Sequence, residues 1–315
     1  NVFMQGRIDH TGISIKASGP VEVTTTTGSD GLFALSNLPV GDYILTASHN
    51  GYLSAQDNSV QCQADTPITM PETWLLGGDA NNDKDINLFD LVLVAAAFNT
   101  CAGDPVYDTT PEADINETGC VDLFDLVLVG VNYGMTGPSG WPSPPPLTTS
   151  AGSDYQPAMR QPGASLHTTA DRLDLRVENA HNLYGVDVTI TFDTTAVSIA
   201  DADPDRPGLQ IEVGPLFAGL PYFPAQNQVT VDEQTGVGTI SFAASLLNPA
   251  EPIDGSGTVA TILFEPVGSQ PALASPAFTI QKALLADHRG RHLTAEWEGN
   301  TIRQIFLIHL PFAAR

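Results

Sequence analysis

Two twelve-residue stretches place oxygen-bearing side chains where a hard cation could be wrapped. The first runs from Asp79 to Asp90, with Asp79, Asn81, Asp83 and Asp90 at positions 1, 3, 5 and 12. The second runs from Asp114 to Asp125 and puts Asp114, Asn116, Thr118 and Asp125 at the same places. Position 7 is Asp85 in one copy and Cys120 in the other, each offering a backbone carbonyl. Asp114 stands 35 residues after Asp79, so the pattern is an internal repeat. Oxygen donors at this spacing are the ligand set of a calcium loop, and two calcium sites are expected. The competing reading is a pair of acidic turns that merely cap helices. Lys84 occupies position 6, where glycine normally makes the sharp turn, which calls for a left-handed residue at a cost of about 1 kcal/mol. The second copy keeps Gly119 there but has the neutral Thr118 at position 5, so the first loop is expected to bind tighter. An apolar residue at position 8, Ile86 or Val121, is expected to pin each loop to its twin.

Other chemistry finds little support. The seven histidines are scattered, and no H-E-x-x-H, G-x-S-x-G, P-loop or G-x-G-x-x-G is present. His288 and His292 fall in a polar hairpin, read as a solvated turn. Trp74, Trp141 or Trp297 could stack on a sugar, but the Pro-flanked Trp141 reads better as packing. The expectation is a non-enzyme. Twelve basic against 36 acidic residues give a net charge of −24, which repels nucleic acid and anionic lipid and favours divalent cations. No apolar run approaches the roughly 18–20 residues of a membrane span. Three cysteines with no C-x-x-C argue against zinc or iron–sulfur; Cys101 and Cys120 could bridge, leaving Cys62 single. No leader is visible before the strand-like run Val2–Ile8, which suggests a leader already removed or a start inside a longer precursor.

Each loop must be held by flanking elements. Leu91-Val92-Leu93-Val94 and Leu126-Val127-Leu128-Val129 continue as helices, whereas the residues before each loop (73–78 and the Pro/Asp-rich 104–113) are not helical. Tandem loop-plus-exit-helix units over 77–134 resemble the dockerin family, which implies an all-α module with two calcium ions and near two-fold symmetry. The family's recognition positions fall on Leu88-Phe89 and Leu123-Phe124, the same pair in both copies. If exposed, they make a symmetric apolar face for a partner; otherwise they pack a core.

The remainder reads as β. Residues 1–73 alternate in short segments, Ile13–Ala17, Val21–Thr27, Leu32–Leu35 and Tyr43–Ser48, between turn signals. The runs Ser29–Leu35, Leu38–Tyr43 and Gly51–Leu53 resemble the carboxypeptidase-regulatory-like (prealbumin-type) domain, a spacer sandwich. Residues 135–167 are a Pro/Ser/Gly linker. Residues 168–300 return to strands, among them Leu173–Glu178, Val186–Phe192, Val229–Val231, Thr239–Ala243, Thr258–Phe264 and Phe278–Leu284. They resemble a cohesin, which implies a jelly-roll sandwich whose flat face receives a dockerin. Residues 301–315 form an apolar tail, either a last strand of this sandwich or one that adds to a neighbour's edge.

The sequence therefore predicts a mainly β, multidomain, secreted protein: a prealbumin-like sandwich, a small dockerin-like module and a cohesin-like jelly roll. The partner is a cohesin or dockerin of the same or another protein. The leading expectation is calcium-dependent head-to-tail self-assembly into a filament. The alternative is a cellulosome-like scaffold or adaptor that tethers polysaccharide-degrading enzymes, and a third is a fragment of a larger enzyme.

Overall fold

Alternation of apolar and polar residues builds the N-terminal sheet, because a strand turns successive side chains to opposite faces. In strand β2 (Ser14–Ser18, after β1 at Val2–Met4), Ile15 and Ala17 point inward. Strand β3 spans Glu22–Thr26, and in β4 (Gly41–Ser48) Tyr43, Leu45 and Ala47 do the same. The computed structural model describes residues 1–143, 163–169, 171–203, 205, 210–267, 278–298 and 301–305. It divides into two compact units, Asn1–Asp154 with Leu247–Pro249, and Tyr155–Leu246 with Ala250–Arg315.

The first unit continues with β5 (Gly51–Tyr52), β6 (Ala55–Cys62), β7 (Thr73–Leu75) and β8 (Gly77–Asp79). Two nine-residue helices follow, α1 (Leu88–Ala96) and α2 (Leu123–Val131). The two-residue strands β9 (Thr100–Cys101) and β10 (Cys120–Val121) pair between them, and β11 (Ser139–Gly140) comes last. The main sheet runs β11-β6-β4-β2-β3. The expected strand at Leu32–Leu35 does not form: Asp30 Oδ1 accepts the Leu32 N–H at 3.1 Å, and that chain stays irregular. Separately, β1 pairs parallel with β7, and β5 pairs with β8.

These last pairings join what the sequence suggests are two modules. β8 is both a partner of the β domain and the start of the first acidic loop. Gly78 has φ +126°, and a Cβ there would lie 3.0 Å from Leu128 O and Val129 Cα, so only glycine lets β8 approach α2 this closely. Asn132, which follows α2, donates from Nδ2 to Gly77 O at 2.7 Å and to Gln5 Oε1. Residues 1–73 and 77–134 thus share one packed unit.

The linker expected over 135–167 is shorter than predicted at both ends. β11 pairs with β6, Trp141 is buried with Nε1 donating to Pro71 O at 2.9 Å, and Ser143 bonds to Thr73. At the other end, Gly163–Thr168 is already strand β12 of the second unit.

The second unit is a β-sandwich. Its spine is β13 (Arg172–Asp193), 22 residues that serve both sheets by bending through bulges near Asn179 and Asn182, both at left-handed φ. Then come β14 (Val197–Ala200), β15 (Glu212–Val213), β16 (Tyr222–Asp232), β17 (Val237–Leu246), β18 (Ile253–Pro266), β19 (Phe278–Asp287), β20 (His292–Glu298) and β21 (Thr301–Ile305). One half of β13 runs beside β18 and β12; the other lies between β19 and β17, with β16 outside. All six strand segments read from the sequence lie within these strands. Of the apolar tail, Thr301–Ile305 pairs with β20 and β12 as the sandwich's own strand; residues 306–315 lie outside the described residues. Among the described residues, no helix is long and apolar enough to cross a membrane.

Candidate functional site

The two acidic loops fold alike because their polar side chains meet their own backbone. In loop 1, Asp79 Oδ2 accepts from Lys84 N–H at 3.0 Å, Asn81 Oδ1 from Asp83 N–H at 2.9 Å, and Asp83 Oδ1 from Asp85 N–H at 2.9 Å. Asp90 closes the loop, accepting from Asn81 N–H and Asn87 N–H, while Asn87 caps α1 through Phe89 N–H. Loop 2 repeats this with Asp114 on Gly119 N–H, Asp125 on Asn116 N–H and Asp122 N–H, and Asp122 capping α2. Lys84 has φ +77° and Gly119 φ +90°, so the left-handed turn expected at position 6 is present in both. No full helix enters either loop: strand β8 precedes the first, and two three-residue 3-10 turns, Tyr107–Thr109 and Pro111–Ala113, precede the second.

The residues at position 8 tie each loop to the other repeat, through the chain that leaves its helix. Ile86 and Val121 do not hydrogen-bond to each other. Ile86 pairs with Gly134 and Met135 beyond α2, and Val121 with Asn99 and Thr100 beyond α1. The loops are tied crosswise, each to the chain leaving the other's helix.

Burial pushes Asp79 up to about 6, against the help of the Lys84 N–H, and it also raises Asp90 and Asp125. Carboxylates held this way need a compensating positive charge to ionise. Among the described residues, no three His, Cys, Asp or Glu side chains gather closely enough to hold a metal ion alone. The loops instead mix carboxylates with Asn, Thr and backbone oxygens. One atom fits an ion directly: Asp79 is only 3% exposed, and its Oδ1 is buried with no hydrogen-bond partner. Calcium would be held there by Asp79, Asn81, Asp83, the Asp85 carbonyl and Asp90.

The repeated apolar pair splits. Leu88 and Phe89 are 54% and 71% exposed and lie beside the 53% exposed Val92. Leu123 and Phe124 are buried, as is every residue of α2. The symmetric face expected from the sequence is therefore absent; only α1 presents the pair to solvent. Part of the reason is that α2 packs inward, with Leu128 against Gly6 and Gly77.

Cys101 and Cys120 are joined, and Cys62 is free and buried. In the second unit the 287–292 hairpin is solvated only in part: Arg291 and His292 are exposed, but Asp287 and His288 are buried, and Arg291 places Nε and Nη2 on Asp287 Oδ2. The buried Asp187 carboxylate faces the Lys282 ammonium at 2.6 Å. Neither residue of this pair lies in a motif, so nothing local in the sequence marks it.

Known proteins resemble parts of this chain. Residues 7–72 match the carboxypeptidase regulatory-like domain. Two curated relatives are 29% identical over 133 residues: cellulosomal-scaffolding proteins B and A of Acetivibrio thermocellus. The match takes in 39% of this chain but spans only 17% and 7% of theirs. Among solved structures, a type II cohesin–X–dockerin complex from Acetivibrio cellulolyticus is 25% identical, covering 39% of this chain and 83% of that one, with a TM-score of 0.34. A type II cohesin from Bacteroides cellulosolvens is 17% identical, covering 41% and 88%, with a TM-score of 0.32. The chain is a modular protein with a regulatory-like β domain and sequence similarity to cellulosomal scaffolding proteins.

Proposed function

We propose that this chain is a non-enzymatic, extracellular scaffold component that joins other proteins through two surfaces. One is the dockerin-like face of α1, formed by Leu88, Phe89 and Val92 above a calcium-holding loop. The other is the cohesin-like sandwich of the second unit, which would receive a dockerin-type module. The observation that carries the first is a contiguous apolar face on a helix whose buried twin shares its first seven residues. The scaffold role draws support from the two scaffolding relatives. Calcium draws support from the loop spacing and from the unpartnered Asp79 Oδ1.

A second reading keeps both surfaces but makes the partner another copy of this chain. It is favoured by the presence of both halves of such a joint in one sequence. Contacts of this kind run head to tail, closing into rings or continuing as fibres.

Light scattering of the pure chain at rising concentration, with calcium and then with chelator, separates the readings. Growth that collapses on chelation and is absent in a Leu88→Asp/Phe89→Asp variant supports copies joined to copies. A constant 33.3 kDa particle, together with calcium-dependent binding of an added cohesin module that the variant loses, supports the scaffold joined to other proteins. Neither self-association nor module binding in calcium would refute both.

A further inference from the structure

The two loops are an internal control for one another, and they differ in what surrounds them. At the head of loop 2, both oxygens of Asp114 are in use: Oδ1 accepts from Thr118 N–H at 3.0 Å, and Oδ2 accepts from Gly119 N–H and from the Tyr107 hydroxyl, each at 2.8 Å. Cys120, whose carbonyl stands at position 7, is bonded to Cys101 beyond α1. Glu117 at position 4 is held by Arg7 at 2.7 Å, so a guanidinium already sits beside the loop.

Loop 1 has none of these. The residue seven before Asp79 is Glu72, not a tyrosine, and no disulfide reaches the loop. Its tie at position 4 is a neutral hydrogen bond from Gly51 N–H to Asn82 Oδ1 at 2.9 Å. The Asp83 N–H bonds to Asn81 Oδ1 and favours the Asp79 carboxylate only from farther off, so Asp79 Oδ1 stays buried without a hydrogen bond of its own. Loop 1 leads into the half-exposed helix α1, and loop 2 into the buried helix α2.

Building on the calcium reading above, we propose that loop 1 alone is the ion-dependent element. Loop 2 is held closed by the protein itself, through Tyr107, the Cys101–Cys120 disulfide and the Arg7–Glu117 pair. One calcium ion would then order the helix that carries Leu88, Phe89 and Val92, while α2 and the β domain stay folded without it. Calcium acts as a switch on the docking face and not as a staple for the whole unit.

The test is calcium titration by calorimetry on the intact, chelator-treated chain, with hydrogen exchange read by mass spectrometry before and after. The expected result is one ion per chain, with amide exchange slowed about tenfold or more over 79–96 and little changed over 114–131. Asp79→Asn, nearly isosteric, should abolish the heat and the protection at 79–96 while leaving 114–131 as it was. Tyr107→Phe should speed ion-free exchange at 114–121, and so should the double replacement Cys101→Ser/Cys120→Ser. Two ions of similar affinity, or protection gained equally in both loops, would overturn the inference and leave the calcium reading standing. No calcium heat at any concentration would overturn both.

Discussion

Replacing Asn132 by alanine tests whether the β domain and the helical module are one cooperative body. The side chain is 4% exposed, and its Nδ2 donates to Gly77 O, Gln5 Oε1 and Leu128 O. Alanine leaves the Gly77 carbonyl without this partner in a buried place, while Gln5 Oε1 keeps only the 3.3 Å bond from Gly77 N–H. A buried polar atom left unpaired costs about 1–3 kcal/mol, so one full and one partial loss come to about 3 kcal/mol. For a body of this size each kcal/mol moves Tm by roughly 2–4 °C, so a drop of about 6–12 °C is expected. Circular dichroism at 222 nm follows the helices, which among the described residues all lie in the first unit. Fluorescence of Trp74 and Trp141 follows the β domain, with Trp297 replaced to silence the second unit. Both signals should fall together in the parent and move down together in Asn132→Ala. Helices that melt at a separate temperature, with the tryptophan signal unmoved by the substitution, would refute the single-body argument.

Three further outcomes follow from burial and charge. Phe89→Ala should change the stability of the first unit by no more than about 0.5 kcal/mol, whereas Phe124→Ala should cost about 3–5 kcal/mol, measured by urea unfolding. Lys282→Met should lower the stability of the second unit by about 3 kcal/mol at neutral pH, because it strands the buried Asp187 carboxylate. Burial raises the Asp187 pKa despite Lys282, so the folded state holds a proton that the unfolded state has lost. Stability should therefore fall as pH rises from the unfolded value of about 3.9 to the raised folded one, and Asp187→Asn should flatten that slope in a pH series of melts.

Much of this was legible in the sequence because it is local. The loop spacing, the capping residues and the left-handed turn at Lys84 depend on neighbours a few residues away, and each is present. The strands of the second unit follow from alternation, though Leu173–Glu178 and Val186–Phe192 read as two strands while the chain bends as one. What escaped is long-range. Leu88-Phe89 and Leu123-Phe124 sit in identical Leu-Phe-Asp-Leu-Val-Leu-Val runs, so nothing nearby says that one helix is buried. That is decided by contacts distant in sequence, among them Gly6 and Gly77 against Leu128 and Gln5 with Asn132. The crosswise pairing of Ile86 and Val121 likewise needs segments beyond both helices to meet them.

Strand β7 has a mechanical consequence. Val2–Met4 lies parallel along Thr73–Leu75, and Ser143 is latched to the same strand through Thr73 Oγ1 and the backbone of Trp74. Residues 2–4 and residue 143 are thus moored on one strand. Tension pulled between residues 2 and 143 would run through β7 and load its bonds first. The two acidic loops and both helices, which lie between residues 79 and 131, hang off this line as an unstressed side branch. A pull along this line would leave α1, with its exposed Leu88, Phe89 and Val92, unstrained.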